Sequence, residues 1–323
     1  MLSEVMEHYG LALPFDEAGF FETEHHQKVI KQMKAAIQAG RLVALSGVVG
    51  AGKTVLAHRL QEELAREGKV LVARSLSVDK ERVTLQTLMM ALFFDLSPEE
   101  EPWIPSQGER RERELRNLIR KGRKPAALFV DEAHDLHPKT LRGLKRLSEV
   151  VKDAGARLAI VLIGHPKLQN DLRRPTMEEI GHRTTIVTFK GIAGQQRPYI
   201  DWLLAQCLAK GVGVSDVITE EAIELLAQRL GTPLQIEQYL TRALEEGWRV
   251  GEKPVTAQLI ETLLSPQLDE LEPRLRRHGY DIPDLAELIN ARQSEIRSLL
   301  RGELEPARSH EITAKLMAAG LPI

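Results

Sequence analysis

Cysteine and aromatic residues are scarce in this chain of 323 residues: it has one cysteine, and aromatics make up 4%. So few aromatic side chains argue against a base-stacking sheet or an aromatic interface. Cys207 has no partner for an internal disulfide, and its helical apolar surroundings favour a small buried side chain over a nucleophile. These features predict a reducing, cytoplasmic localisation.

Long apolar runs and a strong charge excess are also missing. No stretch approaches the roughly 18 apolar residues that span a bilayer, and the first residues lack the basic-then-apolar pattern of a secretory signal. We therefore expect no membrane insertion. The formal net charge of -2 at pH 7 does not indicate nucleic-acid binding, so any contact with DNA must come from local basic faces.

The most informative feature present is a phosphate-binding pattern. Residues 47–54, GVVGAGKT, match G-x-x-x-x-G-K-[ST] at every fixed position and follow an apolar stretch. Glycines let backbone N–H groups curl round a β-phosphate, and the helix that follows directs its N-terminus at the same anion. We predict ATP and Mg²⁺ as cofactors, with Lys53 on the β/γ-phosphates and Thr54 on the metal. The predicted nucleotide-binding residues are Gly47, Val48, Val49, Gly50, Ala51, Gly52, Lys53, Thr54 and Val55.

A second motif supplies carboxylates. Residues 126–130 are wholly apolar, as in a central parallel strand, and they end in Asp131 and Glu132. Asp131 is predicted to hold magnesium through water, and Glu132 to polarise the attacking water as a catalytic base. A pair of ordinary surface acids at a strand end is the alternative.

The order of elements predicts an α/β fold with a parallel sheet between helices, because predicted strands alternate with helices up to about residue 190. Helices alone follow, separated by Gly/Pro turns. The predicted domains are an N-terminal segment with a flanking helix (1–40), a P-loop core (41–190), a helical lid (191–265) and a C-terminal helical region (266–323).

This order of motifs, together with a polar strand end at Gly164 and His165, resembles AAA+ ATPases over roughly residues 20–265. The phrases VGAGKT, VDEAH and LIGHPKL resemble the ExeA-like ATPases and the transposition helpers of the TniB, TnsC, IstB and MuB-like group. The resemblance implies that His165 stands at the sensor-1 position, where a polar side chain reads the γ-phosphate. A plain strand-end histidine remains the alternative.

Further roles follow from the same resemblance. AAA+ proteins complete each nucleotide site with an arginine from a neighbouring subunit, and Arg183, just before the last strand, is the candidate for this catalytic role. Arg173 and Arg174 compete with it. In the lid, Leu234 stands where relatives carry the sensor-2 arginine, which implies slow hydrolysis unless Arg242 reaches the site instead.

Two basic segments are candidates for DNA binding. One follows the acidic strand end and contains Lys139, Arg142, Lys145 and Arg146, of which positions 139, 142 and 146 fall on one helical face. The other is the loop after the second strand, with Lys80 and Arg82. Such a face could follow a phosphate backbone without sequence preference, or be an ordinary solvated surface.

The C-terminal region carries a helix-turn-helix spacing at residues 285–296, with Asn290 at the left-handed turn position. Residues that would then face a groove are Arg292, Gln293, Arg297 and Arg301. Two packed helices that hold a partner protein fit the same pattern.

The leading interpretation is an ATP-dependent DNA-binding regulator of transposition. It would assemble with itself into a ring or helical filament on duplex DNA and recruit a transposase, with a target-selector protein as a further partner, until hydrolysis disassembles it. The alternatives are an ExeA-like secretion ATPase, which is expected to bring a membrane span and a peptidoglycan-binding domain, and a nucleotide-switch adaptor that binds only protein.

Overall fold

The computed structural model describes residues 1–75, 83–264, 270–321 and 323. The candidate DNA contacts Lys80 and Arg82, and the predicted lid boundary at residues 265 and 266, lie outside these described residues.

A five-stranded parallel sheet forms the core of the molecule, with strand order β2-β3-β4-β1-β5. The strands are β1 (Leu42–Ser46), β2 (Leu71–Arg74), β3 (Ala126–Val130), β4 (Leu158–Gly164) and β5 (Thr184–Thr188). Every residue of β1, β3 and β4 is buried, which explains their continuous apolar sequences. Ser46 lies level with Gly164, so β1 and β4 bring their carboxyl ends to one edge.

Helices cover both faces of this sheet, which confirms the predicted α/β class. The helices up to β5 are α1 (Ser3–Tyr9), α2 (Glu24–Gln38), α3 (Lys53–Glu67), α4 (Leu85–Leu96), α5 (Gly108–Lys121), α6 (Pro138–Asp153), α7 (Pro166–Arg173) and α8 (Glu178–Gly181). Within β3, Phe129 packs with the apolar cluster of α2 and α3, whereas Leu128 packs with that of α4, α5 and α6. Successive residues of a strand point to opposite faces, so both faces are apolar.

The predicted flanking helix is α2, and it begins at Glu24 directly after its cap residue Thr23. Thr23 and His26 form a reciprocal cap: the Thr23 hydroxyl accepts from the His26 N–H at 3.3 Å, and the Thr23 N–H donates to His26 Nδ1 at 3.1 Å. Sequence reasoning looks for Glu or Gln at this capping position, and histidine in the same role was not recognised.

The region predicted as the lid contains α9 (Gln196–Cys207), α10 (Glu220–Arg229), α11 (Pro233–Val250) and α12 (Ala257–Leu263), and we keep the name lid for these helices. The N-terminal helix α1 shares their apolar cluster, and the Tyr9 hydroxyl donates to the Glu252 carbonyl at 2.7 Å. Cys207 is fully buried, with its sulfur 3.7 Å from the Pro14 carbonyl. This burial agrees with its predicted role as a small apolar side chain.

The C-terminal module, residues 270–321, contains α13 (Leu271–Arg277), α14 (Ile282–Ile289), α15 (Gln293–Leu300) and α16 (Pro306–Ala318), packed round an apolar cluster of their own. Asn290 lies between α14 and α15 with a left-handed φ of 53°, and Ile296 is fully buried. The two predicted helices and their turn are therefore present.

Candidate nucleotide site

The phosphate loop is a tight turn between β1 and α3 that only glycine fits at several positions. Gly50 and Gly52 have φ values of 75° and 91°, which L side chains rarely adopt. A Cβ on Gly47 would lie 2.6 Å from the Phe189 carbonyl oxygen. These positions explain why the pattern requires glycine beyond the phosphate contact itself.

The predicted magnesium ligands meet at the start of α3. The Thr54 hydroxyl donates to Asp131 Oδ2 at 2.8 Å, although the two residues are 77 positions apart. A hydroxyl and a carboxylate oxygen are the hard donors that Mg²⁺ prefers. The structure thus brings together the two residues that would hold the metal of a Mg²⁺–nucleotide complex.

Lys53 is buried beside these groups, and its Nζ donates to the Val48 carbonyl of its own loop at 3.0 Å. Burial lowers its pKa, while Glu132 and Asp131 act in the opposite direction. A lysine in this place has no carboxylate hydrogen-bonded to it among the described residues, so its ammonium group is available to a bound phosphate.

Glu132 adopts a left-handed backbone conformation, with φ 52° and ψ 39°. This conformation costs about 1–2 kcal/mol for a residue with a Cβ. Its N–H donates to Asp131 Oδ1 at 2.9 Å, which helps to fix the turn after β3. Backbone strain of this kind is common at functional sites, and here it falls on the predicted catalytic carboxylate.

Two histidines flank the Glu132 carboxylate. His165 at the end of β4 and His134 pack ring against ring, with centroids 3.8 Å apart. Glu132 Oε2 lies 3.4 Å from His134 Nδ1 and 3.7 Å from His165 Nε2. Sequence reasoning selected His165 but missed His134, although it follows Glu132 by two residues in the phrase VDEAH.

Both imidazoles are neutral near pH 7. Burial lowers the pKa of His134, and burial together with His134, Lys53 and Lys167 lowers the pKa of His165 to about 3. The Nδ1 atoms of both rings are buried without a hydrogen-bond partner among the described residues. Neutral imidazoles beside a carboxylate can orient a water molecule. Two nitrogens and a carboxylate within 4.8 Å of one another also form a donor set that suits zinc.

Arg183 lies far from the phosphate loop of its own chain. It precedes the first residue of β5, whereas the loop follows the last residue of the parallel strand β1. Five strand residues separate these edges by about 16 Å. Arg183 contacts Glu149 and its side chain is 57% exposed. Of its competitors, Arg173 is exposed and Arg174 pairs with Asp171 at 3.1 Å.

The lid touches the phosphate loop where relatives carry an arginine. The Leu234 N–H donates to the Gly50 carbonyl at 3.4 Å. Arg242 does not replace the missing arginine in this structure: its guanidinium lies over the Tyr239 ring, beside Leu2 and Val5 of the N-terminal segment. Eight helical residues from Leu234 correspond to about 12 Å along α11, so Arg242 does not reach the phosphate loop here.

A cavity of about 440 Å³ adjoins the phosphate loop. It lies between the segment before α2 and the segment after β5, and its lining includes Phe21, Thr23, His25, Lys190, Gly191 and Gln195. A Cβ on Gly191 would lie 2.8 Å from the Ala51 carbonyl oxygen, which shows how closely the cavity wall approaches the loop. Sequence reasoning missed this cavity because its two walls are about 165 residues apart.

The C-terminal module also reaches the phosphate loop. The Val49 N–H donates to the Arg277 carbonyl at 2.9 Å, and the Lys167 N–H donates to the His278 carbonyl at 3.2 Å. Nothing in the sequence pattern indicates this contact, because it joins backbone groups that are more than 200 positions apart in the first case.

Three of the four candidate DNA contacts on α6 are exposed. Lys139, Arg142 and Arg146 are exposed on α6, but Lys145 is buried and pairs with Glu149 at 3.1 Å and with Glu179. Position 145 falls on the inner side of α6, four residues after the buried Leu141. Lys145 therefore lies off the exposed basic face of α6. In the C-terminal module, the exposed predicted residues are Arg292, Gln293, Arg297 and Arg301.

Among the residues that the structure describes, no helix is both long enough and apolar enough to span a bilayer.

Comparison with known proteins gives one family model and several relatives. Residues 36–172 match the model described as AAA domain. General secretion pathway protein A of Aeromonas hydrophila is 29% identical over 169 residues, which cover 51% of this chain and 30% of that protein. The chain thus matches less than a third of the length of this curated relative.

Solved structures resemble the chain over nearly its whole length. Cdc6p from Pyrobaculum aerophilum has a TM-score of 0.59 at 17% identity, with 96% of this chain and 86% of that chain covered. The Aeropyrum pernix ORC2 protein has a TM-score of 0.59 at 16% identity, with 97% of this chain and 91% of that chain covered. Drosophila ORC bound to DNA has a TM-score of 0.56 at 17% identity, with 98% of this chain and 83% of that chain covered. At these identities the likeness concerns the fold.

Proposed function

We infer that this chain, with an AAA domain in residues 36–172 and neighbours of AAA+ fold over nearly its whole length, is an AAA+ ATPase that binds ATP with Mg²⁺ and hydrolyses it. The contact between Thr54 and Asp131 carries this inference, because it joins the two sequence motifs at a single metal position. The predicted nucleotide-binding residues, Gly47 to Val55, all lie on the loop and first turn beside it.

In the proposed mechanism, the loop amides and Lys53 hold the phosphates, and Thr54 and Asp131 hold Mg²⁺. A Mg²⁺ ion held there would supply positive charge beside the phosphate oxygens. Glu132 accepts a proton from the attacking water, and the neutral rings of His134 and His165 restrict where that water sits. The cavity of about 440 Å³ beside Ala51 is the proposed place of the adenine base.

We further propose that hydrolysis requires a second copy of the chain. Arg183 is exposed and lies at the edge of the sheet opposite its own loop, so it would serve the site of a neighbouring subunit and not its own. This position supports self-assembly into a ring or a filament.

The proposed cellular role is an ATP-dependent regulator that assembles on duplex DNA and recruits a transposase. Supporting it are the exposed basic side chains of α6, the helix pair around Asn290 and the resemblance to transposition helpers. One solved structure of the same fold is Drosophila ORC bound to DNA. Lys80 and Arg82 remain candidate contacts.

A secretion-associated ATPase is the second candidate, favoured by the 29% identity to General secretion pathway protein A. A protein-only adaptor is the third candidate, and it would share the nucleotide chemistry. Both differ from the leading proposal in predicting no ATP-dependent affinity for DNA.

Binding of a fluorescent DNA duplex decides between these roles. The measurement compares ATP, ADP and no nucleotide, and repeats the ATP condition with Lys53→Ala, at two salt concentrations. Tight, salt-sensitive binding that needs ATP and is lost in Lys53→Ala is the expected result. The absence of DNA binding under every condition would reject the DNA role and leave the secretion or adaptor role.

A triple variant tests the α6 face. Replacement of Lys139, Arg142 and Arg146 by Gln should reduce the slope of log affinity against log salt by about 3, since each lost phosphate contact removes about 0.9. The matched control replaces the exposed Lys31, Arg66 and Lys121 by Gln on other helices. Equal slopes for the two triple variants would place the DNA contact elsewhere.

A further inference from the structure

A turn of the C-terminal module, residues 277–279, is docked on the nucleotide site, and no role assigned above uses this contact. Arg277 and His278 accept hydrogen bonds from the Val49 and Lys167 N–H groups at 2.9 and 3.2 Å. Gly279 packs on His165: a Cβ on this glycine would lie 2.7 Å from the His165 Cβ. We call residues 277–279 the docking turn. It touches the phosphate loop and the end of β4 at once.

Side chains hold the same docking outside the turn, and their core partners lie on α7 or directly after its last residue. Lys167 pairs with Asp284, and Asn170 Nδ2 donates to the Tyr280 hydroxyl at 2.8 Å. Arg174 pairs with Glu287 at 3.2 Å. Because α7 directly follows His165, the module is fixed to both elements that surround the γ-phosphate position.

The peptide unit between Val48 and Val49 links the nucleotide position to the docking turn. Its carbonyl accepts from Lys53 Nζ at 3.0 Å, and its N–H donates to Arg277 at 2.9 Å. A peptide unit is planar, so its two ends cannot reorient independently. A bound phosphate draws Lys53 away from Val48 and thereby removes one of the two bonds that orient this unit.

Electrostatics act in the same direction. The carbonyl oxygens of Arg277 and His278 point at the loop and at the start of α7, and they carry partial negative charge. Nucleotide phosphates bring further negative charge to the same edge of the sheet. Like charges at short range repel more strongly in a partly buried site than in water.

We propose that the docking turn is a latch that nucleotide binding releases: phosphate at the loop withdraws Lys53 from Val48, the bond between Val49 and Arg277 weakens, and the C-terminal module loosens from the core. By thermodynamic reciprocity, the docked module lowers the affinity for nucleotide by the same factor. The proposal rests on the proposed function, since it needs a nucleotide at the phosphate loop.

Hydrogen–deuterium exchange on the full chain tests the release. Peptides from residues 271–289 are compared without nucleotide, with AMP, with ADP and with ATPγS, each with Mg²⁺. ADP and ATPγS should speed exchange in these peptides, whereas AMP should not, because it has no β-phosphate to recruit Lys53. Peptides from the phosphate loop report occupancy in the same data.

The outcomes separate the two proposals. A phosphate loop that shows no protection with ADP or ATPγS would contradict nucleotide binding itself. Protection of the loop with unchanged or slower exchange in residues 271–289 would overturn the latch and leave the proposed function intact.

Glycine substitutions test the reciprocal effect on affinity. Gly279→Ala places a Cβ against His165 and should displace the docking turn. Gly302→Ala is the matched control, because Gly302 has a similar φ, 71° against 87°, and open space where the Cβ would stand. Gly279→Ala should tighten ADP binding by about five-fold or more, and Gly302→Ala should leave it unchanged. Equal or weaker ADP binding by Gly279→Ala would contradict the latch.

A second pair of variants leaves both the docking turn and the histidines unaltered. Asn170→Ala removes the donor to Tyr280 without changing any charge, and Gln169→Ala is its control on the same helix. Asn170→Ala should speed exchange in residues 271–289 without nucleotide and tighten ADP binding. Identical behaviour of the two variants would argue that the module does not restrain the site.

Discussion

At the scale of single residues, the site depends on a few side chains whose environments differ sharply. Glu132 is 42% exposed on a strained backbone, while Lys53 and the two histidines beside it are largely buried. An exposed carboxylate reaches water readily, and buried neutral imidazoles restrict the orientation of that water. The group proposed to react with water is thus exposed, and the groups proposed to position water and phosphate are buried beside it.

Glu132→Gln should abolish most hydrolysis while preserving ATP binding. The amide keeps the size of the side chain but cannot accept a proton, so the rate should fall about 10²- to 10⁴-fold. Phosphate release measured at saturating ATP, beside ATP affinity, provides the check. Glu100→Gln, on an exposed segment, is the control. Hydrolysis near the unmodified rate would remove Glu132 from its proposed role.

The cap of α2 makes stability depend on pH. Burial lowers the pKa of His26 from its ordinary value of 6.5 to about 4, so the folded state favours the neutral ring. Its contribution is fully present above pH 6.5 and is lost as the pH falls towards about 4. Protonation of His26 at low pH should lower the free energy of unfolding by an amount of the order of 2 kcal/mol.

Urea unfolding of the unmodified chain and of His26→Gln, between pH 7.5 and 4.5, measures the contribution of His26 to the pH dependence of stability. Glutamine can accept the same hydrogen bond from Thr23 but does not titrate. The variant should therefore lose less stability on acidification, although the other buried histidines keep titrating. Parallel pH profiles would show that His26 is not responsible.

Sequence reasoning identified the residues of the phosphate loop and the carboxylates because each belongs to a short local pattern. It missed His134, and it included Lys145 among the candidate DNA contacts without showing what that side chain pairs with. Local spacing cannot show that α6 turns position 145 towards Glu179, nor that two rings from separate strands meet at 3.8 Å. Such contacts depend on strand order, which a periodic pattern leaves open.

At the scale of elements, the alternation of strands and helices up to β5, and the helices alone after it, followed from the sequence. Short, wholly apolar runs such as β3 were the most predictable, because they are typical of buried parallel strands. Helix ends moved where capping used unexpected residues, as at Thr23 and His26. The packing of α1 with the lid could not be read from the sequence, because its partners begin almost 200 residues later.

The turn between α14 and α15 offers a test of element-level reasoning. Asn290 has a φ of 53°, which glycine adopts freely and a β-branched residue does not. Asn290→Gly should leave the stability of the chain nearly unchanged, whereas Asn290→Val should cost about 1–2 kcal/mol. Thermal or urea unfolding compares the pair. Equal losses in both variants would mean that the asparagine side chain, and not the backbone angle, stabilises the turn.

At the scale of the whole molecule, the phosphate loop and Arg183 lie at opposite edges of the sheet. Each chain presents the loop at one edge and an exposed Arg183 at the other. Under the proposed function, a single copy has an incomplete site, and assembly would join the loop of one subunit to the arginine of the next.

Mixing experiments test this complementarity. Arg183→Ala and Lys53→Ala should each reduce hydrolysis severely when alone. A mixture should regain activity, because some interfaces then combine an intact loop with an intact arginine. Phosphate release from the mixture against the two separate variants is the measurement. No recovery in mixtures that demonstrably co-assemble would assign Arg183 a structural role through Glu149.

The shared packing of α1 and the lid has a mechanical consequence. The chain passes between the core and the lid once before α2 and once after β5, and both crossings line the same cavity beside the phosphate loop. Two neighbouring connections permit rotation of the lid about the line that joins them, but they restrict translation of the lid along the core. This rotation axis would run beside the space proposed for the base, so the occupant of this space would set the angle between the lid and the core.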